Sequence, residues 1–252
     1  MLDFNERVVL VTGASRGIGR ATAELFARCG ARLALNYHRN AALVDALKAS
    51  LPGGPHMTIQ ADVADPEAVK QMVEAVVATM GRLDVLVNNA AIFEDSSPAE
   101  ADYATWLDVW TRTLMTNLAG AANVAYWAAR QMIAQGGGRI INVSSRGAYR
   151  GEADAPAYGA SKAGLNSLTQ SLAKALGKHR ISVYGVAPGW VETDMAAEAL
   201  TGPEAESIRS QSPFGRVARP EEVAYTIVFL ASEQAEFLTG AIVDINGASY
   251  FR

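Results

Sequence analysis

Short apolar runs rich in β-branched residues recur along the chain: RVVLVT from Arg7, RLALNY from Arg32, HMTIQ from His56, LDVLVN from Leu83, GRIINVS from Gly138, ISVYGVAP from Ile181 and AIVDING from Ala241. Each has the length of a buried strand. Between them, apolar positions return at helical spacing over 19–28, 41–50, 66–80, 103–135, 158–177 and 220–232. Regular alternation of this kind predicts parallel strands joined by right-handed crossovers, with helices on both faces of one sheet. The expected fold class is therefore α/β, a doubly wound parallel sheet of about seven strands in one domain over 1–252. Such sheets bind ligands beyond the carboxyl ends of their strands, so the strand-to-helix junctions are the places to search. The segment 188–219 is too long for an ordinary connection, holds Gly189, Gly202, Pro203, Pro213 and Gly215, and is expected to form a lid.

Composition narrows the function. Half of the 252 residues are apolar, enough for a sizeable core, and the formal charge of −4 comes with scattered rather than striped Lys and Arg. Nucleic acid is thus an unexpected partner. The N-terminal MLDFNERVVLVTG shows no secretory pattern and no window has the length of a membrane span, so a cytoplasmic location without membrane insertion is expected. Cys29 is the only cysteine and lies in a helical apolar pattern, which fits core packing. His38, His56 and His179 are widely separated, and no metal site is expected.

The first strand runs into TGASRGIG, Thr12 to Gly19. Gly13, Gly17 and Gly19 allow a tight turn and close approach to a pyrophosphate, which the free N–H groups and positive end of the next helix attract. The second strand ends LNYHRN without the acid that would accept a ribose 2′-hydroxyl. Asn36, His38 and Arg39 stand there instead, with Arg16 able to approach from the glycine turn, so NADP(H) is favoured over NAD(H). A solvated turn is the competing reading of His38 and Arg39. Asp62 suits either the adenine amino group or a helix N-cap.

TGASRGIG, VNNAA from Val87, NVSS from Asn142, YGASK from Tyr158 and APGWVETDM from Ala187, in this order and spacing, resemble the short-chain dehydrogenase/reductase family over essentially the whole chain. The resemblance implies a Rossmann-type fold and an NAD(P)-dependent oxidoreductase interconverting a carbonyl and a secondary alcohol. It carries cofactor contacts onto Gly13, Ser15, Arg16, Gly17, Ile18, Gly19, Asn36, His38, Arg39, Asp62, Val63, Asn89, Ala90, Ala91, Tyr158, Lys162, Pro188, Gly189, Val191 and Thr193, with Asn88 supporting the cofactor's central portion. Val191 and Thr193 would hold the nicotinamide carboxamide. Ala91 stands where the family usually has glycine, one extra methyl against the cofactor.

The chemistry centres on Tyr158 and Lys162, four residues apart and so on one helix face. An unperturbed tyrosine, with a pKa of about 10, is a poor proton donor at neutral pH. At about 4 Å and an effective dielectric of about 20, attraction between phenolate and ammonium is on the order of 4 kcal/mol, which would lower the phenol's pKa by as much as roughly three. Taken alone, the spacing also suits a Pro-initiated helix with a core tyrosine and a surface lysine. The resemblance makes Ser145, thirteen residues before Tyr158, the donor to the substrate carbonyl. It makes Asn117 the fourth catalytic residue, holding a water that links Lys162 to solvent; a packing hydrogen bond between helices is the alternative.

The substrate pocket is expected from Phe93, Tyr149 and Trp190, with Ile92 and the stretches 147–154 and 196–214 around them. These walls suit an uncharged ketone or alcohol. Arg146, Tyr149, Arg150 and Glu152 belong to a solvated rim or select a polar or anionic substrate. General character resembles 3-oxoacyl-carrier-protein reductases and glucose-dehydrogenase-like members, and a carrier-protein reductase is the specific alternative. Its two basic docking positions would fall on Gly136 and His179, of which Lys178 and Arg180 can replace only the second. NYHRNA resembles pteridine reductases, which typically replace the serine kept here as Ser145. An NADP(H)-binding sensor or scaffold is the alternative of another class. The helices of 103–135 and 158–177 resemble the family's dimer interface, and the tail DINGASYFR a second one, so a homotetramer or homodimer is expected.

Overall fold

The computed structural model describes residues 2–252. Seven strands form one sheet: β1 Val8–Val11, β2 Arg32–Tyr37, β3 Met57–Gln60, β4 Val85–Asn88, β5 Gly138–Val143, β6 Ile181–Pro188 and β7 Ile242–Ile245. Their order is β3-β2-β1-β4-β5-β6-β7 and every pairing is parallel. The helices between them are α1 Gly17–Arg28, α2 Ala41–Ser50, α3 Pro66–Met80, α4 Tyr103–Leu114, α5 Ala121–Gln135, α6 Gly147–Arg150, α7 Pro156–Leu176, α8 Ala197–Thr201, α9 Ala205–Ser210 and α10 Pro220–Leu230. The apolar runs thus became strands and the helical periods helices, with boundaries moved by a few residues.

The period of two along each strand divides the core into two layers. Val9 and Val11 face Phe26 of α1 and Val223 and Ile227 of α10, whereas Val8 and Leu10 face Met72 and Val76 of α3 and Val124 and Ala128 of α5. Because β1 pairs with both β2 and β4, strand order reverses there, and the carboxyl ends of β1 and β4 open a crevice. At the opposite ends, the buried Asp84 accepts from Arg82 Nε at 2.8 Å, Arg7 at 3.3 Å and the Val8 amide at 2.9 Å, fastening β4 to β1.

The pattern over 103–135 is one continuous helical path interrupted by a π-helical turn at Met115–Gly120. Gly120 is needed there, since a Cβ would lie 2.6 Å from Val63 O. Bringing the helix this close seats Asn117 against the main chain of Ile92 in the loop after β4. Asp65, not Asp62, caps α3, accepting from the amides of Glu67 and Ala68 at 2.9 and 3.2 Å with Pro66 at the first helical position. In 188–219, Ala196, Leu200 and Ile208 make a small core of their own with Trp190 and Val217, closed at its base by the Val191–Ala218 bridge.

Candidate active site

The glycine turn is shaped by what it must approach. Gly13 and Gly17 have φ of +63° and +54°, and a Cβ on Gly19 would sit 2.4 Å from Gly13 O and 2.6 Å from Asn89 Nδ2. Gly19 therefore serves the packing of α1 on the turn and is not part of the cleft wall. Asn89 ties the turn to β4 by donating to Thr12 O and Gly13 O at 2.9 and 3.0 Å, and the Thr12 hydroxyl accepts from the Asn89 and Ala90 amides at 2.9 and 3.0 Å.

A cleft of about 720 Å³ runs over the carboxyl ends of the strands from this turn to the segment that follows β6. Gly13, Ser15, Arg16, Gly17 and Ile18 line its start; Asn36, His38, Arg39, Asp62 and Val63 one end; Asn89, Ala90, Ala91 and Phe93 the middle; Ser145, Tyr158, Lys162, Pro188, Gly189, Trp190, Val191 and Thr193 the other end. A positive-φ turn at a helix N-terminus opening into a long cleft fits a dinucleotide.

Several expected residues do other work. Asn36 is buried, with Oδ1 accepting from the Gly13 amide at 3.2 Å and Nδ2 donating to Ala61 O at 3.1 Å, so it joins β2, β3 and the turn rather than reaching for a ribose. Asn88 is likewise buried, donating to Ala121 O and Asn142 Oδ1 at 3.1 and 3.0 Å. Asp62 Oδ1 accepts from the Ala64 amide at 2.9 Å, and its carboxylate lies 3.6 Å from His38. Arg16 is 3.7 Å from Asp194. Tyr149 does not line the cleft; it lies under the Arg252 guanidinium, 4.4 Å from its ring centre, because α6 turns it toward the C-terminal tail.

The chemical end is built by β5, the α6 turn and α7. Pro156 starts α7, so Tyr158 and Lys162 leave its first turns on one side. Lys162 is buried, its Nζ 5.5 Å from the Tyr158 ring centre and donating to Val143 O at 2.8 Å. Phe93 meets the other edge of the tyrosine ring at 4.9 Å between centres. Ser145 Oγ accepts from the Gly147 amide at 3.0 Å, while the Ser144 hydroxyl donates to Lys162 O at 3.2 Å.

Asn117 lies outside the cleft wall and is fully buried. It accepts from the Ile92 amide at 2.9 Å and donates to Ile92 O at 2.9 Å and Ser161 Oγ at 3.2 Å. Both amide hydrogens are thus used in clamping the loop after β4 to α7.

The electrostatics correct one expectation. Burial pushes the Tyr158 phenol up to about 12, opposed by the Ser145 hydroxyl and reinforced by Glu152, and pulls the Lys162 ammonium down to about 8. Among the protein's own groups, desolvation outweighs the attraction expected from the lysine. Tyr158 therefore carries its proton at neutral pH, and so does most of Lys162.

Thr111, Arg112, Met115 and Thr116, where α4 passes into the π-helical turn, also face the cleft, as does Glu94, which pairs with Arg112 at 2.7 Å. Their sequence carries no motif; only helix packing brings them there.

The family model described as enoyl-(acyl carrier protein) reductase matches residues 13–248. The chain belongs to the short-chain dehydrogenase/reductase family. It is 40% identical over 245 residues to the 3-oxoacyl-[acyl-carrier-protein] reductase FabG of Staphylococcus aureus, covering 96% of this chain and 97% of the relative. It is 40% identical over 247 residues to the cis-4-hydroxycyclohexanecarboxylate dehydrogenase of Sinomonas cyclohexanicum, covering 97% and 96%. A solved short-chain dehydrogenase/reductase structure, described as glucose/ribitol dehydrogenase, from Brucella melitensis superposes with a TM-score of 0.91 at 34% identity, covering 100% of this chain and 99% of that one. The protein is an oxidoreductase of this family with a Rossmann fold, acting on carbonyl and alcohol groups with an NAD(P) cofactor. Among the described residues no helix is long and apolar enough to cross a membrane, and no cluster of three potential metal ligands occurs.

Proposed function

We propose that this protein reduces the carbonyl of a small ketone with NADPH, and runs the reverse oxidation, with Tyr158 exchanging the proton. The observation that carries this reading is the meeting of Ser145, Tyr158 and Lys162 at one end of a cleft whose other end is the glycine turn. When bound, the dinucleotide supplies or takes the hydride. The Ser145 hydroxyl donates to the substrate oxygen, and Tyr158, protonated at neutral pH, delivers its proton there as the oxygen gains charge. Lys162, anchored on Val143 O, keeps positive charge beside the ring and favours the phenolate left behind. Asn117 positions the loop after β4, and 188–219 folds over the cleft as a substrate lid. Tyr158→Phe is expected to retain NADPH binding by fluorescence titration and lose about 10²- to 10⁴-fold in turnover; undiminished turnover rules out the assignment.

NADP(H) over NAD(H) rests on the absence of an acid at the end of β2, on His38 and Arg39 at that end of the cleft and on Arg16 in the glycine turn, Arg39 being exposed and without an ion pair among the described residues. Arg39→Ala is expected to weaken NADPH about tenfold and leave NADH unchanged in the same titration; equal loss for both dinucleotides counts against the preference. A cytoplasmic homodimer or homotetramer completes the reading, with Tyr103, Leu107 and Tyr126 exposed on α4 and α5 and Tyr225 and Phe229 on α10. A monomer by light scattering overturns it.

Reduction of a carrier-bound 3-oxoacyl thioester is the second reading, favoured by the likeness to FabG. Against it, Gly136 has no side chain where the resemblance calls for a basic docking group. A sensor or scaffold role would leave the Ser145, Tyr158 and Lys162 arrangement without a use.

A further inference from the structure

Arg146 immediately follows Ser145, and its side chain stands in the cleft wall with only 3% of its surface exposed. Its guanidinium donates to the neutral Ser249 hydroxyl and makes no ion pair among the described residues. Nearby carboxylates are already engaged: Glu152 with Arg150 at 3.3 Å, Glu222 with Arg216 at 2.7 Å and Asp244 with Arg252 at 2.8 Å. A buried guanidinium without a direct ion pair is less favourable than a neutral side chain of its shape, and an anion arriving in the cleft would offset that cost.

The surroundings say what kind. Behind Arg146 and Trp190, which line both spaces, lies a second cavity of about 200 Å³ reaching Gln211 and Ser212. Trp190 Nε1 and Gln211 Oε1 are buried there without hydrogen-bond partners. An indole N–H can only donate, and turning the glutamine amide end for end presents its NH₂ instead. Together with the guanidinium fork, these groups offer donors to a planar pair of acceptor oxygens. Arg216 is taken by Glu222, so one unmatched positive charge is available, which suits a monoanionic carboxylate better than a phosphate dianion.

We propose that Arg146, with Trp190 and Gln211, forms a carboxylate subsite and that the substrate is an oxoacid or the corresponding hydroxy acid. This rests on the carbonyl-reducing reading of the same cleft. Ser145 and Tyr158 take the carbonyl oxygen while Arg146 takes the carboxylate, so consecutive residues of one turn grip both ends of the molecule. The hydride comes from NADPH and the proton from Tyr158, and the carboxylate passes through unchanged. The Arg146 guanidinium is correspondingly a weaker base than usual, through burial first and the nearby Arg150 second, with Glu152 opposing them from beyond ion-pair distance.

The test compares kcat/KM with NADPH for 4-oxopentanoate and 4-oxocyclohexanecarboxylate against their methyl esters, in the wild type, Arg146→Gln, Arg146→Lys and Trp190→Phe. The wild type is expected to prefer the acids by about 10- to 100-fold, the range of a hydrogen bond to a charged group. Arg146→Gln should abolish the preference, with Arg146→Lys and Trp190→Phe in between. The acids, but not the esters, should raise the unfolding midpoint of the wild type with NADP⁺, and Arg146→Gln alone should raise it without any acid. Esters and acids reduced equally by the wild type would overturn the subsite and leave the reductase reading standing. No turnover of any ketone would instead strike that reading. Stabilisation by acetate, with no acid preference in turnover, would assign the carboxylate to a separate small ligand and overturn the substrate class.

Discussion

Replacing Lys162 by methionine is expected to stabilise the fold while disabling the enzyme. The ammonium is buried, has Val143 O as its acceptor at 2.8 Å, and is pulled by desolvation from 10.5 to about 8. That difference, at about 1.4 kcal/mol per pH unit, places the cost of the buried charge near 3 kcal/mol. Methionine fills much of the same space without charge and forfeits the bond to Val143 O, worth about 1 kcal/mol, which leaves a gain of about 2 kcal/mol at about pH 7. Because the folded pKa lies below the unfolded one, the cost is present in full below about pH 8 and fades as pH rises toward 10.5. In that window the unfolded chain binds a proton that the folded chain does not, so wild-type stability climbs with pH. Urea denaturation at about pH 7 and about pH 9.5, at one protein concentration, should therefore show the advantage of the variant shrinking by about 2 kcal/mol. A variant less stable than its parent at pH 7, or an advantage that does not change with pH, would refute the reasoning.

Two further substitutions separate the cofactor cradle from the scaffold. Gly19→Ala places a methyl 2.4 Å from Gly13 O, and is expected to weaken dinucleotide binding at least about tenfold and cost about 1–3 kcal/mol in stability, read by fluorescence titration and thermal melting. Asp84→Ala leaves Arg82 and the Val8 amide without their carboxylate at the end of the sheet away from the cleft. Because Arg82 and Arg7 reach solvent and only the Val8 amide is left buried, a loss of about 1–3 kcal/mol in urea is expected with kcat unchanged, as activity at saturating substrate would show.

The cleft also shows how stability and function oppose each other in one place. Lys162 and Arg146 are both buried cations without carboxylate partners among the described residues, and both border the place where an oxyanion is to be held. Removing either is expected to make the protein more stable and less capable. Asp84, by contrast, is buried with its charge matched by Arg82 and Arg7, and its removal can only weaken the fold.

Periodicity along the chain was enough for the sheet, because the central strands β1, β4 and β6 bury both faces and read as apolar runs whatever their neighbours are, while the edge strands β3 and β7 stay only partly covered. The order of the junction motifs led to the glycine turn, Ser145, Tyr158 and Lys162, since a parallel sheet gathers the carboxyl ends of its strands. Local sequence could not tell which of two acids caps a helix, and Asp65 took that place from Asp62. Nor could it show that Asn36 spends its amide on main-chain groups and Asn117 on Ile92 and the Ser161 hydroxyl, that Tyr149 turns away beneath Arg252, or that burial outweighs the lysine at Tyr158. Those outcomes depend on which groups share a buried space and how much water reaches them. Desolvation and hydrogen-bond saturation are properties of the packed chain, so spacing determined which residues come together and tertiary structure decided the charge each of them carries.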